Sequence, residues 1–281
     1  MRRFAILFIL LVLPLFCRAQ GVREEMRFQG ETREYWLYMP QTPAEGTPLV
    51  LMLHGYGGKA EGYYPEFTEY ALSQGFAVCC PQGLRDPGKG KTGWNVGYPS
   101  QEGWKVDDIA FVKALSRRLQ KKYGFTNVFF SGMSNGGEMC YLVAHRCPGE
   151  FGAIASLAGL QMEWIYRKYS LGSPVPFIEI HGTADHTSEW EGDPLNNGGW
   201  GAYVSVPLAV GNLAANARCT HEVCDTLPLL HPDSNVVVRH DYRGGSVETT
   251  LYEVIGGKHS RHTSDADTPR LLIDFFRRHI K

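Results

Sequence analysis

The chain alternates between short, wholly apolar runs and longer segments with apolar residues at helical spacing. The runs 49–53 and 76–80 are apolar throughout, which is typical of strands covered on both faces. Residues 107–123 place Ile109, Val112, Leu115 and Leu119 on one side, which predicts an amphipathic helix. The pattern predicts strands at 33–39, 49–53, 76–80, 128–131, 153–157, 175–181 and 249–255, and helices at 107–123, 135–147 and 267–280.

This alternation of strands and helices predicts the fold class. Strands separated by helices at this spacing favour an α/β fold built on one mostly parallel, doubly wound sheet with helices on both faces. The strand at 33–39 alternates like a half-buried strand, and we expect it to be antiparallel at the sheet edge. Asp107 or Asp108 is expected to cap the helix that follows. The Gly-, Trp- and Asn-rich regions 81–103 and 186–203 are expected to form loops over the functional edge.

The first nineteen residues form a separate segment. Arg2 and Arg3 precede an apolar run from 4 to 16 that is too short to span a bilayer, and small residues follow near Ala19. This pattern predicts a cleaved signal peptide at 1–19, and therefore a secreted or periplasmic single domain at 20–281 without stable membrane insertion. Cys17 as a lipid anchor is an alternative, which the bulky Phe16 before it disfavours.

Composition narrows the function classes. The formal charge is −1 for 281 residues, and removing the three arginines of the predicted signal leaves it mildly negative, so nucleic acid is not an expected partner. Of the remaining cysteines, Cys219 and Cys224 lie in a polar segment and are the best disulfide candidates, whereas Cys79 and Cys80 end an apolar strand and are expected to be buried thiols. The spacing Cys219-x-His221-x-x-Cys224 offers no convincing fourth ligand, so no metal or other cofactor is expected.

The most informative motif is Gly132-Met133-Ser134-Asn135-Gly136, which follows an apolar strand and opens a helical pattern. A nucleophilic serine needs a sharp strand-to-helix turn, and glycines at the flanking positions permit that tight backbone. The motif predicts Ser134 as a nucleophile. The amide of Asn135, at the helix start, then points to where an oxyanion would form.

An acid and a base are expected after later strands, in the chain order serine, acid, histidine. Asp185 follows the strand at 175–181 and a tight turn, and His259 follows the last strand and Gly256-Gly257. We therefore predict a triad of Ser134, Asp185 and His259. Glu179 and Asp193 are weaker alternatives for the acid, and His262 is the competing base. The segment His54-Gly-Tyr-Gly-Gly58 follows a strand and predicts the Tyr56 amide as the second oxyanion donor.

At these residues the sequence resembles the polyhydroxybutyrate-depolymerase-like esterases, a group that includes secreted feruloyl and acetylxylan esterases. The resemblance runs from about residue 33 to the C-terminus. It is carried by His54-Gly-Tyr-Gly-Gly58, Trp94-Asn95, Val106-Asp-Asp-Ile-Ala-Phe111, Gly132-Met-Ser-Asn-Gly-Gly137, His181-Gly-Thr-Ala-Asp185 and Gly256-Gly-Lys-His259. It implies an α/β-hydrolase fold and hydrolysis of carboxylic esters by the predicted triad. The family commonly has Thr-Trp-Pro after its histidine, whereas Ser260-Arg261-His262 stands here. The wall of the substrate site that this tryptophan would form is therefore absent or comes from other residues.

Aromatic residues in the predicted loops suggest the kind of substrate. Flat aromatic faces suit a sugar ring or a phenolic acyl group, and we expect Trp94, Tyr56, Trp190 and Trp200 to bind substrate. Together with the resemblance and the predicted export, this indicates feruloyl or acetyl esters of plant polysaccharide, such as xylan, or of its oligosaccharides. The alternatives are a polyester depolymerase, a general short-chain esterase, a serine peptidase, or a non-catalytic carbohydrate-binding protein on a hydrolase fold.

Overall fold

One large mixed sheet organises the fold. The computed structural model describes residues 20–281, so the predicted signal peptide and Cys17 lie outside the described residues. The strands are β1 Val22–Phe28, β2 Glu31–Tyr38, β3 Leu49–Leu53, β4 Ala77–Pro81, β5 Leu84–Arg85, β6 Thr92–Gly93, β7 Val128–Met133, β8 Ile154–Leu157, β9 Phe177–Gly182, β10 His221–Thr226, β11 Val237–Arg243 and β12 Thr249–Val254. The α-helices are α1 Pro65–Ser73, α2 Asp108–Tyr123, α3 Asn135–Arg146, α4 Glu163–Lys168, α5 Val206–Asn216, α6 Thr263–Ala266 and α7 Thr268–Arg278.

Ten of the described strands form the sheet, in the order β1-β2-β4-β3-β7-β8-β9-β12-β11-β10. The six central strands, from β4 to β12, are parallel, and both ends of the sheet are antiparallel. The short strands β5 and β6 form a separate ribbon inside the loop 81–103. The predicted mostly parallel, doubly wound sheet is therefore confirmed.

The strand β3 shows why the central runs are apolar throughout. Its alternate residues Leu49, Leu51 and Leu53 belong to the core cluster that includes residues of α2 and α3, while Val50 and Met52 belong to the cluster that includes residues of α1 and α7. Because helices cover both faces of the sheet, every side chain of this strand is buried.

The structure decides two predicted details, the residue that caps α2 and the strand that forms the edge of the sheet. Asp107 is the N-cap of α2, because its carboxylate accepts a hydrogen bond from the Ala110 amide at 2.9 Å. The strand predicted at 33–39 was expected at the sheet edge, and this was wrong: β1 pairs with β2 along its whole length and forms the edge instead. β1 is largely exposed and polar, so it lacks the apolar pattern from which strands were predicted.

The structure does not contain the predicted Cys219–Cys224 disulfide, since both thiols are free. Cys224 lies within the extended strand β10, opposite His240, whereas Cys219 precedes that strand. Cys219 Sγ lies 3.4 Å from the Tyr242 carbonyl oxygen, whereas Cys224 Sγ lies 3.4 Å from His240 Nδ1, two residues away along β11. Cys79 and Cys80 are buried free thiols, as predicted.

Candidate active site

The turn that carries Ser134 joins β7 to α3. Ser134 has φ 56° and ψ −122°, a backbone conformation that L residues rarely adopt, and its amide bonds to the Leu157 carbonyl at 2.8 Å. Any side chain at Gly136 would come within 2.6 Å of the Leu53 carbonyl oxygen. Glycine at this position therefore lets α3 start directly against β3, and Ser134 is left at the carboxyl end of its strand.

Asp185 and His259 are joined by a hydrogen bond. Asp185 follows β9 and His259 follows β12, and the two strands are parallel neighbours in the sheet. His259 Nδ1 lies 2.6 Å from Asp185 Oδ2, and the other oxygen of Asp185 accepts the amides of Thr187 and Ser188, both at 2.8 Å. Burial raises the pKa of Asp185, but the bond and charge of His259 and the two amides outweigh it, so its pKa is lowered.

The alternative acids and base have other partners. Glu179 lies inside β9 and is bonded to Tyr141, and Asp193 accepts the Gly198 amide in the loop 186–203. His262 is buried, and its Nδ1 lies 2.9 Å from Asp265 rather than from Asp185. Of the predicted candidates, the structure therefore brings only His259 to Asp185.

The predicted oxyanion segment lies against Ser134. A Cβ on Gly55 would be 3.3 Å from the Ser134 Cβ. The amides of Gly57 and Gly58 bond to the carbonyls of Thr92 and Gly55, whereas the Tyr56 amide has no backbone acceptor within residues 20–281. Asn135 is the first residue of α3, so its amide has no partner within the helix.

His54 stabilises this segment by hydrogen bonds that link it to the chain at Gly83. It is fully buried, its Nε2 accepts the Gly83 amide at 3.0 Å, and its Nδ1 donates to the Gly55 carbonyl at 2.7 Å. Burial lowers the pKa of His54 to about 4, so it is neutral at neutral pH and keeps this bonding pattern. Sequence reasoning gave His54 no role of its own; an ionisable residue directly after an all-apolar strand was the available signal.

Trp94 does not lie where it was predicted. It was predicted to contact substrate, whereas the structure buries Trp94 completely, with 0% of its surface exposed. Its indole Nε1 donates to the His54 carbonyl at 2.8 Å, and its backbone amide donates to the Asn135 side-chain oxygen at 2.7 Å. Trp94 therefore links the two segments that carry the predicted oxyanion donors.

Trp200 and Trp190 have different surroundings. The half-buried Trp200 packs against Tyr56 and Tyr98, with ring centroids 5.7 and 5.2 Å away. This aromatic cluster of Tyr56, Tyr98 and Trp200 borders the oxyanion segment. Trp190, also half-buried, packs on the small core cluster around α5 and lies edge-on to His181 at 6.1 Å. Where the family commonly has a tryptophan, Arg261 lies 4.5 Å from the ring of Tyr64.

A possible metal-ligand group lies away from these residues, on the outer strands β10 and β11. Possible ligand atoms of Glu222, Cys224 and His240 lie within 4.8 Å of one another. His240 Nδ1 is 2.6 Å from Glu222, and its Nε2 is 2.9 Å from Glu253, so these groups already pair with each other. Cys219 and His221, which carry the metal-like spacing in the sequence, are not part of this group.

The chain is similar to proteins that are named esterases. No family model matches it. It is 27% identical over 175 residues to a bifunctional acetylxylan esterase/xylanase of Neocallimastix patriciarum (60% of this chain) and 26% identical over 238 residues to feruloyl esterase C of Emericella nidulans (80% of this chain). The chain spans 24% of the first relative's length and 76% of the second's.

Solved structures show the same fold. An acetyl xylan esterase from Aspergillus awamori superposes with a TM-score of 0.65 over 91% of this chain and 100% of its own, at 17% identity. Within residues 20–281, no helix is both long and apolar enough to cross a membrane. By fold the chain is an α/β-hydrolase, and the predicted resemblance is confirmed by relatives named acetylxylan esterase and feruloyl esterase.

Proposed function

We propose that the chain is a serine hydrolase of carboxylic esters. The observation that carries the proposal is the 2.6 Å hydrogen bond between His259 and the buried Asp185. Both residues follow the carboxyl ends of parallel strands, as does Ser134 in its sharp turn. In this mechanism Ser134 attacks the ester carbonyl while His259 takes its proton. Asp185 orients His259 and stabilises its charged form.

The amides of Tyr56 and Asn135 are proposed to hold the oxyanion. Within the described residues neither amide donates to another acceptor, and Asn135 and the segment of Tyr56 both adjoin Ser134, which is what a preorganised oxyanion site needs. His259 then returns its proton to the leaving alcohol. Water attacks the acyl-enzyme, again with His259 as base, and releases the acid.

The proposed substrates are feruloyl or acetyl esters of plant cell-wall polysaccharide. Relatives named acetylxylan esterase and feruloyl esterase support this choice, as does the aromatic cluster beside the oxyanion segment. An open cleft of about 800 Å³ beside the oxyanion segment is lined by Tyr56, Lys59, Gln82 and Lys91, and Ser134 and His259 do not line it. Export by the signal peptide at 1–19 is part of the proposal, because a polysaccharide substrate lies outside the cell.

Initial rates on methyl ferulate, acetylated xylan and an aryl acetate test the proposal, with Ser134→Ala as the blank. A preference for ferulate or xylan identifies a cell-wall esterase and the group that its cleft binds. Hydrolysis of the aryl acetate alone supports the triad and rejects the proposed substrates. Activity retained by Ser134→Ala contradicts the mechanism. A wild-type chain inactive on all three would favour peptides, polyesters or a binding role.

A further inference from the structure

A second histidine, besides His259, approaches the Asp185 carboxylate. His181 Nε2 lies 3.7 Å from Asp185 Oδ2, the same oxygen that His259 contacts. On its other side, His181 Nδ1 lies 3.1 Å from Glu179 Oε1. The side chains of Glu179, His181 and Asp185 are all fully buried. The triad mechanism gives neither Glu179 nor His181 a role.

The hydrogen bonds around His181 indicate its protonation state. Its Nε2 lies 2.8 Å from the Ser188 carbonyl, which can only accept, so Nε2 carries a proton. Its Nδ1 faces Glu179 Oε1, which already accepts the Gly159 amide at 3.1 Å, while Oε2 accepts the Tyr141 hydroxyl at 3.0 Å. Both oxygens of Glu179 act as acceptors, as expected of an ionised carboxylate. Both nitrogens of His181 then donate, which requires the imidazolium form.

Two other buried histidines provide a contrast. His54 accepts a backbone amide at Nε2, and His145 Nε2 faces the side-chain amide of Gln161 at 2.8 Å. Each therefore has one nitrogen that accepts, which fits a neutral ring, and burial lowers the pKa of both. Burial also opposes the charge of His181, but the bond and charge of Glu179 outweigh it and its pKa is raised.

Resting on the triad proposed above, we propose that His181 is a positioning residue: a buried imidazolium, held by Glu179, that keeps the Asp185 carboxylate ionised and aligned with His259. The row Glu179, His181, Asp185 alternates negative, positive and negative. A buried carboxylate is costly unless it is paired and hydrogen-bonded, and the imidazolium supplies a compensating charge. The same charge also opposes the positive charge that His259 gains as a base, because both rings contact the same oxygen of Asp185.

None of the other ionisable groups described around His181 supplies a second positive charge to balance the Asp185 carboxylate. Tyr141 of α3 reaches it only through Glu179, and Tyr203 of the loop 186–203 lies near Asp185. From the segment after β12 come His259, which is bonded to Asp185, and His262, which is paired with Asp265. Burial lowers the pKa of His262, and the charge of His181 adds to this. His262 is therefore not a second cation at this position.

The protonation state can be measured without any substrate. In the chain labelled with ¹⁵N-histidine, the His181 ring signals are assigned by their absence from the spectrum of His181→Gln, or by their shift in Glu179→Gln if the first variant does not fold. We expect both ring nitrogens of His181 to be protonated at pH 7 to 8, where His145 shows a neutral ring. A neutral His181 at pH 7 would overturn the proposal.

The positioning role is tested by the pH profile of kcat/KM for an aryl acetate. His181→Gln and Glu179→Gln both weaken the compensating charge, so the acid limb should move to higher pH by about 0.5 to 1 unit. His145→Gln, the same substitution at a buried histidine outside the network, should give the wild-type profile. Acid limbs of the two network variants that coincide with that of His145→Gln would refute the role. If no ester is hydrolysed, the proposed function fails, and the NMR result still decides the state of His181.

Discussion

Trp94→Phe tests whether Trp94 contacts substrate or positions the oxyanion donors. The indole Nε1 donates to the His54 carbonyl at 2.8 Å, and phenylalanine leaves this buried carbonyl without that donor. Leaving a buried acceptor unsatisfied costs about 1 to 3 kcal/mol. The smaller ring adds a void of a few tens of Å³, which costs roughly 1 kcal/mol at about 24 cal/mol per Å³. We therefore expect the free energy of unfolding to fall by roughly 2 to 4 kcal/mol.

The same change should lower kcat rather than raise KM. Removing an oxyanion donor outright costs about 10² to 10³ in kcat, and loosening the Tyr56 segment should cost a part of this, about 10-fold or more. Trp200→Phe is the matched control, since the half-buried Trp200 packs on Tyr56 and Tyr98 and the substitution should change KM with little effect on kcat. Urea unfolding and the kinetics of aryl acetate hydrolysis give both readouts. A Trp94→Phe variant of wild-type stability with only a raised KM would refute this reasoning and restore the substrate contact.

Four further predictions follow from particular contacts. Asp185→Asn should lower kcat by about 10⁴ with little change in KM, and His259→Ala should lose far more activity than His262→Ala; the reverse order would make His262 the base. Asp108→Asn should lower the free energy of unfolding in urea by about 3 to 5 kcal/mol, because Arg33, 2.8 Å away and fully buried, loses its partner charge; a loss below 1 kcal/mol would contradict this. Burial raises the pKa of Glu248, but bonds from His279 and Arg278 outweigh it and lower the pKa to about 2. Since its ordinary value is 4.5, it contributes stability above that pH that is lost as pH falls towards 2, at most about 3 kcal/mol. Glu248→Gln should flatten this part of the melting temperature–pH curve, and an unchanged slope would count against the pairing.

The parts of the fold with strong apolar periodicity were predictable from the sequence. The central strands and the helices α2, α3 and α7 were found because burial on two faces, or on one helical stripe, imposes a pattern that the residues must follow, whereas α5 was not predicted. The outer strands were missed for the opposite reason. β10 is mostly exposed and reads His-Glu-Val-Cys-Asp-Thr, so its place in the sheet depends on pairing with β11 rather than on burial of its side chains.

At the candidate site, the predicted acid and base could be located from their place after particular strands, but the residues around them could not. The partners of Asp185 and Trp94 come from segments far apart in the chain, and the sequence gives no spacing rule for such contacts. Glu179 and His181 did carry a signal, since two ionisable residues interrupt an otherwise apolar strand. Their mutual contact explains how that strand accepts them, because a buried charge needs a partner.

Trp94 also explains why separate motifs of the resemblance occur together. Its indole holds the segment of Tyr56, its backbone is bonded on both sides to the Asn135 side chain, and the next amide, of Asn95, bonds to Asp108 at 2.8 Å. One segment thus ties the first oxyanion loop, the start of α3 and the start of α2 together. Substitutions at these positions should not be additive, because each loosens the same segment. The side chain of Trp200 lies outside this linkage and packs on Tyr56 and Tyr98, so a change at Trp200 should disturb the geometry around Ser134 less than a change at Trp94.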